Sequence, residues 1–376
     1  MKARNLSYMK EFNRKFILRE LYKAPECRAE LARRTNLTPA AISIITEELI
    51  EEGYILETAS FGRKAMLEIN ADKYLVFGLQ IGREFCCVCM TDFRCNLLDK
   101  KERPMDGETP DGIVDWAASC ILEMTRRHGG HPGKILGVGV NAPGPVDSKE
   151  GVILNPPNFE GWHRYPVVER LKQRLPCDVF LEKNCLALYD NLLGWGNDYA
   201  NMLHITMYDG IGGSVILNNQ LVTGKKGLGG EIGHVSIDMH GPRCSCGNTG
   251  CLEMYASEKA ILQACAERGG AVKSWKEIVD RAELGETLYL DIIRLEAEYL
   301  AAGIINVLNV LDLDAVLLTG FTDYHPTLLL RHLKETVAHT CIMREDHLAK
   351  ISTAPIGRDS IVISAAAVVI YRLLRE

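Results

Sequence analysis

The sequence of 376 residues contains no apolar run of about eighteen residues, the length that a helix needs to cross a bilayer. Its first residues are polar and basic and lack the apolar core of a signal peptide. No low-complexity segment occurs. These absences argue against a membrane or secreted protein. We therefore expect a cytoplasmic protein with two or three folded domains and no membrane partner.

The composition is that of an ordinary globular protein, with 47% hydrophobic and 24% charged residues. Thirteen cysteines would permit a disulfide framework. However, Cys86, Cys87 and Cys89 lie in an apolar, strand-like run, where thiols behave as small buried hydrophobic groups. This placement favours a reducing compartment.

The net charge of −6 is unevenly distributed. Residues 1–72 carry twelve Lys and Arg against eleven Asp and Glu, a net charge of +1, which leaves −7 for the remainder. The less acidic N-terminal segment is a weak indication of a polyanionic partner.

The first seventy residues show the periodicity of a small helical domain followed by a hairpin. Thr38 and Pro39 form a helix start, with a hydroxyl at the N-cap and proline at the first helical position, and Gly53 ends that helix. The predicted elements are helices at 10–23, 26–34 and 39–52 and strands at 54–57 and 65–69. This order is that of a winged helix-turn-helix, which we assign to residues 1–72.

A winged helix-turn-helix places its third helix in the DNA major groove. The residues expected to contact DNA are Arg33, Arg34, Thr38, Ala41, Ser43, Ile44, Arg63 and Lys64. The basic residues are candidates for phosphate contacts, and the others face outward on the third helix. Ile44 is apolar where an amide or basic side chain would read a base edge well, which predicts sparse direct readout. The alternative is a small helical module that binds protein.

A cysteine-rich loop predicts a metal site. Cys244, Cys246 and Cys251 lie within eight positions of one another on a glycine-rich loop, and His234 precedes them by ten residues. Three thiolates and one imidazole can complete a tetrahedral zinc site, and a site closed by four protein ligands is structural. The alternative is a surface loop with reduced thiols.

Beyond Asp72 two similar sets of strands alternate with helical crossovers, which predicts a duplicated α/β fold with a cleft between two lobes. We place the lobes at residues 73–190 and 191–376, the second carrying the cysteine loop.

The larger part of the chain resembles the ROK family of repressors and sugar kinases. The segments that carry the resemblance are 143–147, 157–162, 210–213, 230–234 and the cysteine loop. The family implies an actin-like, ribonuclease H-like fold, and the preceding winged helix is similar to the repressor branch. That branch implies a transcription regulator of carbohydrate metabolism that binds operator DNA as a homodimer or homotetramer and senses a sugar or derivative.

The resemblance also implies which side chains contact the sugar: Asn158, Glu231, His234 and Glu253. Each has another interpretation. His234 is also the predicted zinc ligand, the two glutamates could bond only to loop backbone, and Asn158 could be a turn residue.

The segments that match the family's catalytic elements depart from its kinases. The position of the catalytic aspartate holds Asn184, an amide that cannot accept a proton, and Gln80 replaces a carboxylate that could help to hold magnesium. Asp209 replaces a hydroxyl in the second phosphate loop, and residues 317–321 lack a double glycine. We therefore predict no catalytic residue and no enzyme activity. Two interpretations compete with this one. The protein could be an active sugar kinase, or a DNA-binding protein whose ROK domain only oligomerises. The effector, and whether it releases or promotes DNA binding, stay open.

Overall fold

The computed structural model describes residues 6–58, 65–129, 134–156, 159–208, 210–225, 227–340, 350–354, 357 and 359–375. Internal contacts divide the chain into two compact units, residues 1–194 with 359–376, and residues 195–358. No helix in the described ranges has the length and apolarity that a bilayer crossing requires.

The first unit begins with three helices and a three-stranded antiparallel sheet, the element order that the sequence predicted for this segment. These elements are α1 (Leu6–Lys23), β1 (Glu26–Cys27), α2 (Arg28–Thr35), α3 (Pro39–Glu51), β2 (Ile55–Thr58) and β3 (Met66–Ile69). The strands lie in the order β1-β3-β2. Helix α2 begins two residues later than predicted because Glu26 and Cys27 pair with β3.

Local chemistry sets the ends of α3. The Thr38 hydroxyl accepts a hydrogen bond from the backbone N–H of Ala41 at 3.3 Å, and Pro39 occupies the first helical position. After the helix, Gly53 adopts a φ of +76°, which a side chain would strain. The start and end of the helix therefore follow the signals in the sequence.

A five-stranded mixed sheet follows, in the order β10-β7-β4-β5-β6. Strands β4, β7 and β10 are parallel, and β5 and β6 continue the sheet antiparallel. Its elements are β4 (Leu75–Ile81), β5 (Phe85–Thr91), β6 (Leu97–Pro104), α4 (Pro110–Arg127), β7 (Ile135–Asn141), α5 (Val167–Lys172), β10 (Asp178–Glu182) and α6 (Cys185–Leu192). A small hairpin, β8 (Val146–Asp147) and β9 (Val152–Ile153), lies beside it.

The C-terminal helix α12 (Ser360–Arg375) packs on this first sheet. Two strand glycines permit the close approach. A Cβ atom at Gly139 would lie 1.7 Å from the carbonyl oxygen of Ala365, and one at Gly78 would lie 2.2 Å from that of Val362. The strand backbones therefore touch the helix backbone directly, with no room for a side chain between them.

This packing places α12 in the first unit, whereas residues 191–376 were predicted to form a single lobe. The chain leaves the first unit at Trp195 and returns at Asp359. The predicted ranges therefore differ from the observed division at the last helix, because an apolar run does not reveal which sheet it will cover.

The winged helix (predicted as residues 1–72) does not separate from the first unit as a body of its own, because its core is continuous with that of the first sheet. An aromatic cluster joins them. The ring of Phe93 contacts those of Tyr22 and Tyr74 at centroid distances of 5.7 and 5.6 Å, and Tyr54 adjoins both Tyr74 and Phe93. The backbone N–H of Phe93 also donates to the carbonyl of Ala71 at 2.9 Å.

The second unit repeats the strand pattern of the first. Its sheet runs β13-β12-β11-β14-β15, with β11, β14 and β15 parallel and β12 and β13 antiparallel. Its elements are β11 (Met202–Met207), β12 (Ile211–Leu217), β13 (Gln220–Leu221), α7 (Glu253–Ala256), α8 (Glu258–Glu267), α9 (Trp275–Glu283), α10 (Thr287–Leu311), β14 (Ala315–Gly320), α11 (Thr327–Thr340) and β15 (Ile351–Thr353). The repeated topology is that of the predicted duplicated α/β fold.

Candidate functional site

The structure brings the four predicted metal ligands together in the second unit. His234 ends a 3₁₀ turn, and the three cysteines lie on the loop that leads into α7. The ligand atoms of His234, Cys244, Cys246 and Cys251 all lie within 4.8 Å of one another. The Cys246 and Cys251 sulfurs are 3.6 Å apart, and the Cys244 sulfur is 3.7 Å from Nδ1 of His234.

These separations fit a tetrahedral metal site. Zinc–sulfur bonds of about 2.3 Å place two sulfurs of a tetrahedron about 3.8 Å apart. The donor set of three thiols and one imidazole is also the set that zinc prefers. The residues present therefore fit a structural zinc ion.

Hydrogen bonds to backbone carbonyls hold the cysteine loop in this shape. The backbone N–H of Cys244 donates to the carbonyl of Asn248 at 2.9 Å, and the side-chain amide of Asn248 donates to the carbonyl of His234 at 3.1 Å. Gly250 has a φ of +68°, and a Cβ there would lie 1.7 Å from the carbonyl oxygen of Asp238. Only glycine fits at this point of the loop.

The cysteine environments differ. The backbone N–H of Asn248 lowers the pKa of the exposed Cys246 thiol, and neighbouring thiols contribute in the same direction. Burial raises the pKa of Cys251 to about 12, and hydrogen bonds to the neighbouring thiols add to the rise. A thiol must lose its proton to bind a metal, so metal binding at this site releases protons.

Glu253 bonds to the backbone of a glycine-rich loop. Its Oε2 accepts a hydrogen bond from the N–H of Ile211 at 2.9 Å. A Cβ at Gly210 would lie 2.5 Å from the same oxygen, so a side chain there would displace the carboxylate. Glu253 therefore makes a bond to loop backbone, which was the predicted alternative to sugar binding.

Glu231 and His234 lie on one turn that packs against β12. A Cβ at Gly213 would lie 2.4 Å from the carbonyl oxygen of Gly230, and one at Gly233 would lie 2.1 Å from that of Ile211. The turn and β12 are thus in backbone contact, which fixes the position from which Glu231 and His234 extend. Asn158, the fourth predicted sugar residue, lies outside the described residues.

Gln80 and the segment that leads to Asn184 lie at the carboxyl ends of parallel strands. Gln80, Asn141 and Glu182 are register partners on β4, β7 and β10. Nδ2 of Asn141 donates to Oε1 of Gln80 at 2.7 Å. Oε1 of Glu182 accepts the backbone N–H groups of Lys183 and Asn184 at 2.9 and 3.1 Å. Burial raises the pKa of Glu182. Asp209 lies outside the described residues.

The predicted DNA-contacting residues of α3 differ in exposure. Ile44 is 57% exposed and Thr38 is exposed, whereas Ala41 and Ser43 are half-buried. Arg63 and Lys64 lie outside the described residues.

Two arginines of α2, Arg33 and Arg34, are paired with acids of their own domain. Arg33 bonds to Glu30 at 2.5 Å, and Arg34 lies 3.4 Å from Glu20 and 3.5 Å from Glu26. The pair of Arg33 and Glu30 could have been predicted from the sequence, because residues three apart on a helix are neighbours. The contacts of Arg34 could not, because they depend on tertiary packing.

Known proteins similar to this chain share its sequence family and its fold. A sequence model of the ROK family matches residues 76–372. The chain belongs to the ROK family. A solved ROK family transcriptional regulator, a homologue of the Escherichia coli MLC protein, superposes with a TM-score of 0.80 at 23% identity, over 97% of this chain and 96% of that chain. This likeness confirms the predicted fold class.

A repressor and a sugar kinase are both similar to this chain in sequence. The xylose repressor of Bacillus spizizenii is 27% identical over 98% of this chain and 97% of its own length. The glucokinase of Thermotoga maritima is 29% identical over 70% of this chain and 86% of its own length. The similarity to the repressor thus extends over the N-terminal domain as well.

Proposed function

We propose that this protein is a transcription repressor that binds operator DNA and responds to a sugar or sugar derivative. The observation that carries the proposal is the order of helices and strands in residues 6–58 and 65–69, which is that of a winged helix-turn-helix and precedes the ROK match at residue 76. The xylose repressor of Bacillus spizizenii is similar along nearly the whole chain. DNA-binding helices on a ROK scaffold give the protein a means to couple DNA binding to a small ligand.

The proposed effector contacts are Glu231, His234 and Glu253, with Asn158 as a further residue from the sequence. Carboxylates suit a sugar because each oxygen accepts hydrogen bonds from hydroxyls. The Glu253 bond to Ile211 uses Oε2, one of the two carboxylate oxygens. The close backbone contact of the Glu231 turn with β12 supports a fixed placement of these groups.

We propose further that the ROK domain transfers no phosphate. Asn184 and Gln80 offer amides where kinases of this family use carboxylates, and the Gln80 amide oxygen already accepts a hydrogen bond from Asn141. Loss of a general base alone typically costs about 10²–10⁴-fold in rate. A coupled assay of ATP turnover with common hexoses and amino sugars tests this part of the proposal.

We propose that the cysteine site holds a structural zinc ion with His234 as its nitrogen ligand. The ion would fix the loop from Cys244 to Cys251, and Glu253 follows two residues later at the start of α7. Zinc thereby supports a residue proposed to contact effector, without taking part in chemistry.

The experiment that tests the main proposal selects duplexes from a random-sequence DNA pool with the full-length protein. Fluorescence anisotropy then measures affinity for the selected duplex with and without each member of a sugar panel. We expect nanomolar to micromolar binding and a change with at least one sugar. Absence of selective DNA binding would refute the repressor assignment.

A Glu231→Ala variant provides the matched test of the effector site. It should bind the selected duplex like the wild-type protein and lose the response to sugar. An unchanged response would show that Glu231 is not an effector contact. Binding of DNA with no response to any sugar in the wild-type protein would favour a ROK domain that only oligomerises.

A further inference from the structure

The outward face of α3 is apolar in its N-terminal half. Ala40 and Ile44 are four residues apart and therefore share one face of the helix. Both are exposed, and Ile44 is 57% exposed. Ile42 and Ile45 are buried in the domain core, so burial in that core does not account for Ile44. The large aliphatic side chain of Ile44 is therefore exposed at the part of the helix that contacts base edges in a helix-turn-helix.

The same helix offers few groups that could form hydrogen bonds with bases. It contains no Lys, Arg, His, Asn or Gln between Pro39 and Glu51. The Thr38 hydroxyl accepts the N–H of Ala41, proline has no N–H, and Ser43 is half-buried. The bidentate amide and guanidinium contacts that usually identify adenine and guanine are therefore absent from this helix.

The C-terminal half of that face is acidic. Glu47 and Glu51 are exposed, at positions that continue the face of Ala40 and Ile44. Two carboxylates there are repelled by DNA phosphates, whereas the helix N-terminus carries partial positive charge. The helix must then enter the groove by its N-terminal half, which brings Ile44 to the base edges.

We infer that Ile44, with Ala40 beside it, recognises the 5-methyl group of thymine in the major groove. Thymine is the only unmodified DNA base that displays a methyl group there, and an apolar side chain is the group that recognises it. The operator then requires thymine at the positions that Ile44 contacts. This inference rests on the proposed DNA-binding function and adds the chemical feature of the base that the helix reads.

The test compares duplexes that differ only in that methyl group. A duplex is selected from a random pool with the full-length protein, and each thymidine in turn is replaced by deoxyuridine, which pairs identically. We expect one or two positions per half-site at which affinity falls about fourfold, the effect of about 0.8 kcal/mol for one buried methyl group. Substitution elsewhere in the duplex should change affinity little.

Two variants assign the effect to Ile44. Ile44→Ala should bind the thymidine and deoxyuridine duplexes with equal affinity. Val310→Ala removes a similarly exposed aliphatic side chain (79% exposed) in the other compact unit and should keep the difference. Circular dichroism melting confirms that both variants fold.

The outcomes distinguish a failure of methyl recognition from a failure of the DNA binding on which this inference rests. Selective DNA binding without any sensitive thymine position, or a sensitivity that persists in Ile44→Ala, overturns the recognition of methyl groups and leaves the repressor assignment intact. Failure of the wild-type protein to enrich any duplex overturns both.

Discussion

The carboxylate of Glu253 accepts the backbone N–H of Ile211 at 2.9 Å, and Glu253 stands two residues after the metal-ligand candidate Cys251. One short segment therefore joins the cysteine cluster to the glycine loop at the start of β12. A metal ion bound by the cysteine loop would therefore support the segment that carries Glu253, which is proposed to contact effector.

Purified protein should contain one zinc ion per chain, and Cys251→Ser should lose it. Because binding of an ion to the folded state alone stabilises that state, the variant and the chelator-treated wild type should melt at least about 5 °C lower. Metal analysis by mass spectrometry and a thermal-shift assay measure both effects. Cys177→Ser is the control, since Cys177 lies in the other unit, and it should keep its zinc. Zinc-free wild-type protein with unchanged melting would contradict the assignment.

Glu296 on α10 should make stability depend on pH. Its side chain is fully buried, neither carboxylate oxygen has a hydrogen-bond partner among the described residues, and burial raises its pKa well above 4.5. The folded state therefore favours the protonated form. Its contribution to stability is fully present below pH 4.5 and is lost as the pH rises toward the folded-state pKa.

Urea unfolding at pH 5 and pH 8 measures this effect. The wild-type protein should lose more unfolding free energy between the two pH values than Glu296→Gln, in which no proton can be lost. Glu298→Gln changes an exposed residue of the same helix and should behave like the wild type. Equal pH dependence in Glu296→Gln and the wild type would show that this carboxyl group does not ionise differently in the folded state.

Asn184→Asp should not restore kinase activity. The substitution supplies a carboxylate at the base position, but Gln80 remains an amide engaged by Asn141. We expect ATP turnover no higher than that of a protein-free blank in a coupled assay with hexoses. Turnover of about 1–100 s⁻¹, the range of typical kinases, would show that Asn184 alone disables the site.

Arg33→Ala should reduce the salt dependence of DNA binding. If Arg33 leaves Glu30 to contact one phosphate, its removal lowers the slope of log affinity against log salt concentration by about 0.9. Anisotropy titrations at several salt concentrations measure the slope. Arg294→Ala is the matched control, because Arg294 also pairs with an acid three residues before it on a helix. An unchanged slope for Arg33→Ala would exclude the phosphate contact.

The sequence predicted those features that local chemistry determines. Thr38 and Pro39 fixed the start of α3, because a capping hydroxyl and a proline act on the next few residues. The spacing of the three cysteines predicted the metal cluster for the same reason. The place of His234 in the cluster was harder to predict, because it depends on the turn at 232–234 packing against the cysteine loop.

Features that depend on distant parts of the chain were not predictable. The bond from Ile211 to Glu253 joins residues 42 positions apart, and the packing of α12 on Gly78 and Gly139 spans more than half of the chain. The contacts of Arg34 with Glu20 on α1 and Glu26 on β1 likewise depend on how these elements pack against α2. No periodicity or motif encodes such contacts, because they follow from packing rather than from local preference.

The position of α12 also sets the order of events during synthesis. The strands of the first sheet are made early, but the helix that covers one of their faces is made only after the whole second unit. Until α12 has left the ribosome, β4 and β7 lack this partner and their apolar face stays open to water, chaperones and other nascent chains. A chain that stops before Asp359 would thus have an unfinished first core.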